Sequence, residues 1–181
     1  GRVTAAPYRE LLAEVARTGT RIALDSSGPL FAELVRSGVA IRLVKPNTHE
    51  LAEFVGRPLT TRADVVIAAR ELIASGGVSS VMVTLGADGA LLVTETDVTF
   101  AAASPPTVRN TAGAGDSALA GFLSGTLQDA SQPLRRAVEW GAIAVATEGT
   151  LLVDLDVPLT DVVHEEHPDL SRALVEPALV G

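Results

Sequence analysis

Arg21-Ile22-Ala23-Leu24 is a short apolar run stopped by Asp25-Ser26-Ser27-Gly28, and Ile41-Arg42-Leu43-Val44 is a second, followed by Lys45-Pro46-Asn47. Between them lies a helical stretch that runs to about Ser37 and closes at Gly38. Each run reads as a strand. Short apolar strands alternating with helices predict an α/β fold whose mainly parallel sheet is covered on both faces.

The alternation continues outward. Tyr8 to Thr18 predicts an amphipathic helix with Leu11, Leu12, Val15 and Ala16 on one face, ended by Gly19. Pro46-Asn47 opens a third helix that ends near Gly56, and Thr61 to Ser75 is a long helix capped by Thr60 or Thr61. Ser80 to Leu85, Ala90 to Thr94 and Val98 to Ala102 read as strands of a meander. Pro105-Pro106 is a rigid bend, and helices follow over Asp116–Leu127 and from Pro133 to about Glu148. The tail beyond Gly149 mixes acids, prolines and short apolar stretches and receives no element. His164 and His167 flank two glutamates there, which reads as a solvated tail ahead of a metal site.

The 181 residues suffice for one domain with a sizeable core, and 47% of them are hydrophobic. Aromatics make up only 3%, so Val, Leu, Ile and Ala must build that core. Cysteine is absent, which removes disulfides, thiolate metal sites and a cysteine nucleophile. The net charge of −8 comes without a basic tract, so neither nucleic acid nor an anionic membrane is an expected partner. No apolar run is long enough to span a bilayer, and a cytoplasmic chain without a signal peptide is expected. Lys45 is the only lysine among fourteen basic residues, a hint that its position wants a compact ammonium rather than a planar guanidinium.

In a parallel sheet, ligands bind beyond the carboxyl ends of the strands. That rule selects Asp25, then Lys45 and Asn47, then Thr84 to Gly89, each after a strand. Asn110-Thr111-Ala112-Gly113-Ala114-Gly115-Asp116-Ser117 is a small-residue turn that ends in an acid and opens into an apolar helix. Free N–H groups of the helix start would hold developing phosphate charge, and the carboxylate would take a hydroxyl proton. Taken alone the run has an ordinary reading, since Asp and Gly are common at helix starts. Asn47 and Glu50 lie three apart at a helix start. With Asp25 nearby they suit Mg²⁺ held mostly through waters, and they equally suit a capping box. Thr84-Leu85-Gly86-Ala87-Asp88-Gly89 reads either as a hairpin turn or as a backbone nest with a hydroxyl for nucleotide phosphate or ribose.

The order of these motifs carries more than any one of them. Leu24-Asp25-Ser26-Ser27-Gly28, Val44-Lys45-Pro46-Asn47-Thr48-His49-Glu50-Leu51, Val83-Thr84-Leu85-Gly86-Ala87-Asp88-Gly89-Ala90 and Thr111-Ala112-Gly113-Ala114-Gly115-Asp116-Ser117 together resemble the ribokinase-like (phosphofructokinase B) carbohydrate kinases. The resemblance runs from about Tyr8 to Thr150. Its Lys-Pro-Asn and Gly-Ala-Gly-Asp-Ser motifs are more like the phosphofructokinase and tagatose-6-phosphate kinase branch than ribokinase itself. It implies a three-layer α/β/α sandwich and ATP-dependent phosphoryl transfer to a sugar phosphate, with fructose 1-phosphate as first choice. Fructose 6-phosphate and tagatose 6-phosphate stay open.

The resemblance implies that Asp116 is the general base and that Gly113, Ala114 and Gly115 form the anion hole for the γ-phosphate. It places Asn47 and Glu50 on Mg²⁺ and its waters, with Asp25 in the outer shell. Lys45 would reach the ATP phosphates. Thr84, Gly86, Ala87, Asp88 and Gly89 would line the nucleotide site, and Ala142 and Ala146 would wall the adenine pocket. Family members also carry an N-terminal portion with a Gly-Gly sugar motif, the first strands and a β-sheet lid, for which the chain shows no counterpart. Residues 1–150 are therefore expected to be the C-terminal, nucleotide-binding part of such a domain, lacking the N-terminal part and lid, and residues 151–181 a tail. A homodimer is expected where the lid is present. Two other readings stand beside this one. The first is a nucleotide-binding module without catalysis. The second, far behind, is a dinucleotide-binding dehydrogenase, for which Asp25-Ser26-Ser27-Gly28 lacks the Gly-x-Gly-x-x-Gly turn.

Overall fold

The computed structural model describes residues 4–127, 132–149, 155 and 158–178. In chain order the first elements are α1 (Ala5–Arg17), β1 (Ala23–Leu24), α2 (Gly28–Val35), β2 (Leu43–Val44), α3 (Thr48–Val55), β3 (Leu59–Thr61), α4 (Arg62–Ala74) and β4 (Val81–Thr84). After a short 3-10 turn at Gly86–Asp88 come β5 (Ala90–Val93), β6 (Val98–Ser104), α5 (Ala114–Leu127), α6 (Pro133–Ala146), β7 (Thr160–Glu165) and β8 (Ala173–Ala178). The chain divides into two compact units, residues 1–85, 92–98 and 169–181 in one, and 86–91 and 99–168 in the other.

In the first unit, β1, β2 and β4 are parallel neighbours, with Ala23 opposite Leu43, Leu24 opposite Val44, and Val44 opposite Val81. Val44, Val81, Met82 and Val83 are fully buried, as strands covered on both faces must be. The strand expected over Ile41–Val44 is interrupted. Arg42 and Leu43 both donate their N–H to Ile22 O, at 2.9 and 3.2 Å, while Ile41 makes a separate parallel bridge to Val78. The register itself is kept, since Ile41 faces Val78 as Val44 faces Val81, so the break at Arg42 interrupts the ladder without shifting it and leaves β2 two residues long.

Helix starts in this unit follow local chemistry. Asn47 caps α3, accepting from Glu50 N, while the Glu50 carboxylate accepts from Asn47 N. Gly56 then closes the helix at φ +69°, a left-handed value that glycine takes without a Cβ penalty. Thr61 caps α4 in the same reciprocal way with Asp64. The Asp64 carboxylate also accepts from Thr60 N and Thr60 Oγ1, each at 2.9 Å. These bonds, the one from Thr60 N first, hold its carboxyl down to about 2.

α1 departs from expectation. It begins at Ala5, and its apolar face is only partly covered: Leu12, Val15 and Ala16 are half-buried, while Leu11 is 59% exposed. The helix packs against α2.

The tail, without assigned elements from sequence, carries two strands. β8 pairs antiparallel with β3, with Leu59 opposite Ala178 and Thr61 opposite Ala173. Arg62 N and Ala63 N extend the connection to Arg172 O and Leu170 O. The boundary read at 150/151 falls outside the described residues.

The second unit pairs β6 antiparallel with β7, Phe100 opposite Glu165 and Ala101 opposite His164. Its two long helices, α5 and α6, pack closely through small residues. A Cβ on Gly121 would stand 2.6 Å from Arg136 O, and one on Gly125 would stand 2.9 Å from Pro133 Cα.

Candidate active site

In the first unit, the polar residues predicted at strand ends do stand there. Lys45 N donates to Leu24 O at 3.0 Å, which ties the residue after β2 to the end of β1. The Lys45 side chain is almost completely buried and its ammonium lies 3.0 Å from Asp25 Oδ2, whose side chain is 30% exposed. Pairing is what permits a lysine at this depth. Next along the edge, Asn47 forms a parallel bridge with Thr84, and Thr84 N donates to Pro46 O at 3.1 Å. Lys45 with Asp25, and Asn47 with Glu50 and Thr84, are therefore two adjoining groups built by consecutive strands.

Both readings of Asn47 and Glu50 meet in this geometry. The capping box is formed, with Asn47 Oδ1 accepting from Glu50 N and Glu50 Oε2 accepting from Asn47 N, each at 2.9 Å. The second carboxylate oxygen of Glu50 and that of Asp25 have no partner among the described residues. Such a donor set suits a hard divalent cation that keeps most of its waters. No group of three or more His, Asp or Glu among the described residues is placed to form a closed metal cage, and this includes His164 and His167. Glu50 also lines a cavity of about 250 Å³ with Gly28, Pro29, Phe31, Ala32, Glu53 and Phe54.

In the second unit, Gly86, Ala87 and Asp88 form the 3-10 turn, with Gly86 at φ +61° and Gly89 at φ +101°. Gly89 N donates to Gly86 O at 3.3 Å. A Cβ at Gly89 would stand 2.3 Å from Ala101 O, so packing against β6 already requires glycine there. Ala87 is exposed and Asp88 is buried.

The acidic small-residue run starts its helix earlier than predicted, at Ala114 instead of Asp116. Only Gly113 takes a left-handed conformation, at φ +81°, so one glycine makes the turn and Gly115 already belongs to the helix. The free donors follow from this start. Ala112 N donates to Asn110 Oδ1, Ala114 N to Thr111 O at 3.3 Å, and Ser117 N to Gly113 O. The N–H groups of Gly113, Gly115 and Asp116 have no acceptor among the described residues, as expected of a first helical turn. Asp116 is exposed in that turn, and its carboxylate has no partner among the described residues. On α6, Ala142 is buried and Ala146 half-buried. A Cβ on Gly141 would make ordinary contact, at 3.5 Å, with Ala114 O and Ala118 Cβ.

One residue was given no role from sequence. Asn110 N and Arg109 N both donate to Val145 O, Asn110 Nδ2 donates to Gly149 O, and Arg109 pairs with Glu148. An Asn two residues before a turn is an Asx-turn signal, but its partners on α6 are far away in the chain.

Residues 4–156 match the pfkB family carbohydrate kinases. The 1-phosphofructokinase of Haloferax volcanii is 42% identical over 156 residues, 84% of this chain and 50% of the relative. The ATP-dependent 6-phosphofructokinase isozyme 2 of Escherichia coli is 35% identical, over 81% of this chain and 48% of the relative. The chain thus spans about half the length of the curated relatives it matches. Among solved structures, Escherichia coli phosphofructokinase-2 in complex with potassium superposes with a TM-score of 0.77 at 34% identity, covering 85% of this chain and 50% of that one. Arabidopsis thaliana ribokinase complexed with ribose and ATP gives a TM-score of 0.72 at 26% identity, over 81% and 48%. The strand-end residues, the acidic helix start and these likenesses agree, and the chain belongs to the pfkB family of carbohydrate kinases.

Proposed function

We propose that the protein takes part in ATP-dependent phosphoryl transfer to a hydroxyl of a sugar phosphate, with Asp116 as general base. The observation that carries this reading is the unpartnered Asp116 carboxylate set among the open N–H groups of the first turn of α5. Asp116 accepts the acceptor hydroxyl's proton as its oxygen forms the new P–O bond. The bond from the γ-phosphorus to the bridging oxygen breaks, and ADP leaves. The Gly113-Ala114-Gly115 run, with the N–H of Asp116, holds the charge on the transferred group.

In the first unit, Lys45 serves the nucleotide phosphates, and Asn47 and Glu50, with Asp25 behind them, hold Mg²⁺ through waters. Magnesium, when bound, neutralises charge on those phosphates. Thr84 is this unit's candidate for nucleotide contact, and in the second unit, taken by itself, the candidates are Gly86, Ala87, Asp88 and Gly89, with Ala142 and Ala146 on α6. The acceptor is fructose 1-phosphate, a choice favoured by the name and the higher identity of the Haloferax volcanii relative. The setting is the cytoplasm, with no nucleic acid or membrane partner.

Titration calorimetry with ATP, with and without Mg²⁺, followed by a coupled assay with fructose 1-phosphate, fructose 6-phosphate and tagatose 6-phosphate, tests this reading. Magnesium-dependent saturable binding by the chain is expected, with turnover best on fructose 1-phosphate in a protein that also carries the sugar-binding portion of the family. Binding without turnover of any sugar even with that portion present would reduce the protein to a nucleotide-binding module, and no binding by the folded chain would overturn the reading.

A further inference from the structure

We propose that Asn110 is the positioning residue of the phosphoryl-binding run, an inference that rests on the role given to Asp116 and the Gly113 turn. Asn110 makes three hydrogen bonds through three different atoms. Its Oδ1 accepts from Ala112 N at 3.0 Å, its Nδ2 donates to Gly149 O at 3.1 Å, and its N donates to Val145 O at 3.2 Å. The first of these closes an Asx turn that feeds the chain into Gly113, where φ is +81°. The other two use carbonyls at and just beyond the end of α6, a place where helix carbonyls lack partners of their own.

A primary amide is suited to this position because it accepts at one atom and donates at the other. Aspartate keeps the acceptor, loses the donor and adds a negative charge close to where a phosphoryl group would sit. Alanine loses both side-chain bonds. The Arg109–Glu148 ion pair across the same junction is half-exposed or more on both sides, and such pairs contribute little. Among the described residues, the amide is therefore the better-placed of two side-chain ties between the run and the segment just after α6. At Gly141, α6 passes close to the same helix start, where an added Cβ would stand 3.5 Å from Ala114 O. The open N–H groups of Gly113, Gly115 and Asp116 are thus aimed by a clasp that is itself outside the Gly113-Ala114-Gly115 run. A misplacement of about 1 Å in such donors costs on the order of a hundredfold in rate.

The test compares the full chain with Asn110→Ala and Asn110→Asp by backbone NMR, thermal unfolding and steady-state kinetics. In Asn110→Ala, the Ala112 amide is expected to lose its exchange protection and the Gly113 signals to move, with the melting temperature within about 3 °C. The kcat is expected to fall about tenfold or more while the KM for ATP stays within about threefold. Asn110→Asp is expected to keep the Ala112 protection without restoring kcat, and it carries the comparison alone should the alanine variant fail to fold. Unchanged Ala112 and Gly113 signals in Asn110→Ala would overturn the proposal, as would an unchanged kcat in a variant whose turn is released. A parallel fall of kcat, ATP affinity and stability would also overturn it, as general loosening. If the chain alone shows no turnover, the kinetic comparison is made in the catalytically competent protein, where a normal kcat for Asp116→Asn removes the Asp116 reading, and the NMR comparison on the chain still decides whether Asn110 sets the turn.

Discussion

The ammonium of Lys45 lies 3.0 Å from Asp25 Oδ2, with the lysine side chain 7% exposed and the aspartate side chain 30% exposed. The two partners are therefore unequal. Asp25→Asn leaves a buried cation without its counter-charge, whereas Lys45→Met removes the charge and leaves a carboxylate that water can reach. We expect Asp25→Asn to cost about 1–3 kcal/mol, below the range for a fully buried pair because Asp25 is partly solvated, and Lys45→Met to cost less. Urea unfolding of both variants checks this, and the opposite ranking would refute it.

Gly121 and Gly141 make a matched pair of tests. Both are helical, so replacement by alanine gains up to about 1 kcal/mol of intrinsic helix preference. At Gly121 the new Cβ meets a backbone oxygen at 2.6 Å, and the helices must part. We expect Gly121→Ala to lose about 1–2 kcal/mol net, or roughly 2–8 °C in melting temperature. Gly141→Ala meets ordinary contacts at 3.5 Å and should be neutral or slightly stabilising. Equal melting temperatures for the two variants would contradict this close approach of α5 and α6.

Asp64 gives the fold an acid-sensitive element. Its carboxyl is held down to about 2 by the hydrogen bonds from Thr60 and Thr61, against an unfolded value of about 3.9. A depressed folded value means stability that is complete above pH 4 and lost as pH falls toward 2. The stability gap between wild type and Asp64→Asn should be constant from pH 7 to about 5 and should close between about pH 4 and 2. A gap that persists unchanged at pH 2 would show that the carboxylate charge is not what α4 uses.

Asp116→Asn keeps the side chain's size and removes its basicity. In the catalytically competent protein we expect turnover to fall by at least about a hundredfold with ATP affinity within about threefold. Because Asp116 is exposed and without a partner among the described residues, stability should hardly change. An asparagine variant with near-normal kcat would remove Asp116 from the chemistry.

What the sequence disclosed and what it hid follow from the range of the interactions. The caps at Asn47 and Thr61 were readable because each partner lies three residues on, at Glu50 and Asp64. Lys45 and Asp25 were readable as strand-end residues, since buried parallel strands announce themselves in Val81-Met82-Val83 and its like. The start of α5 was misplaced because three small residues look alike on paper, while only Gly113 takes the left-handed turn. The clasp at Asn110 joins residues thirty-nine apart, and β3 meets β8 across most of the chain, so no local pattern could reveal either. α1 was readable from its helical spacing of apolar residues, but the spacing could not show that Leu11 is left 59% exposed while Leu12, Val15 and Ala16 are half-buried.

The pairing of Leu59 with Ala178 sets an order of events during synthesis. Leu59, fully buried against its late partner strand, leaves the ribosome roughly 120 residues before Ala178 does. At cellular rates of elongation this is a wait on the order of ten seconds, far longer than α4 needs to form. The start of α4 and the β3 edge are therefore exposed during that wait, a window in which a chaperone or a neighbouring nascent chain competes with the tail for them.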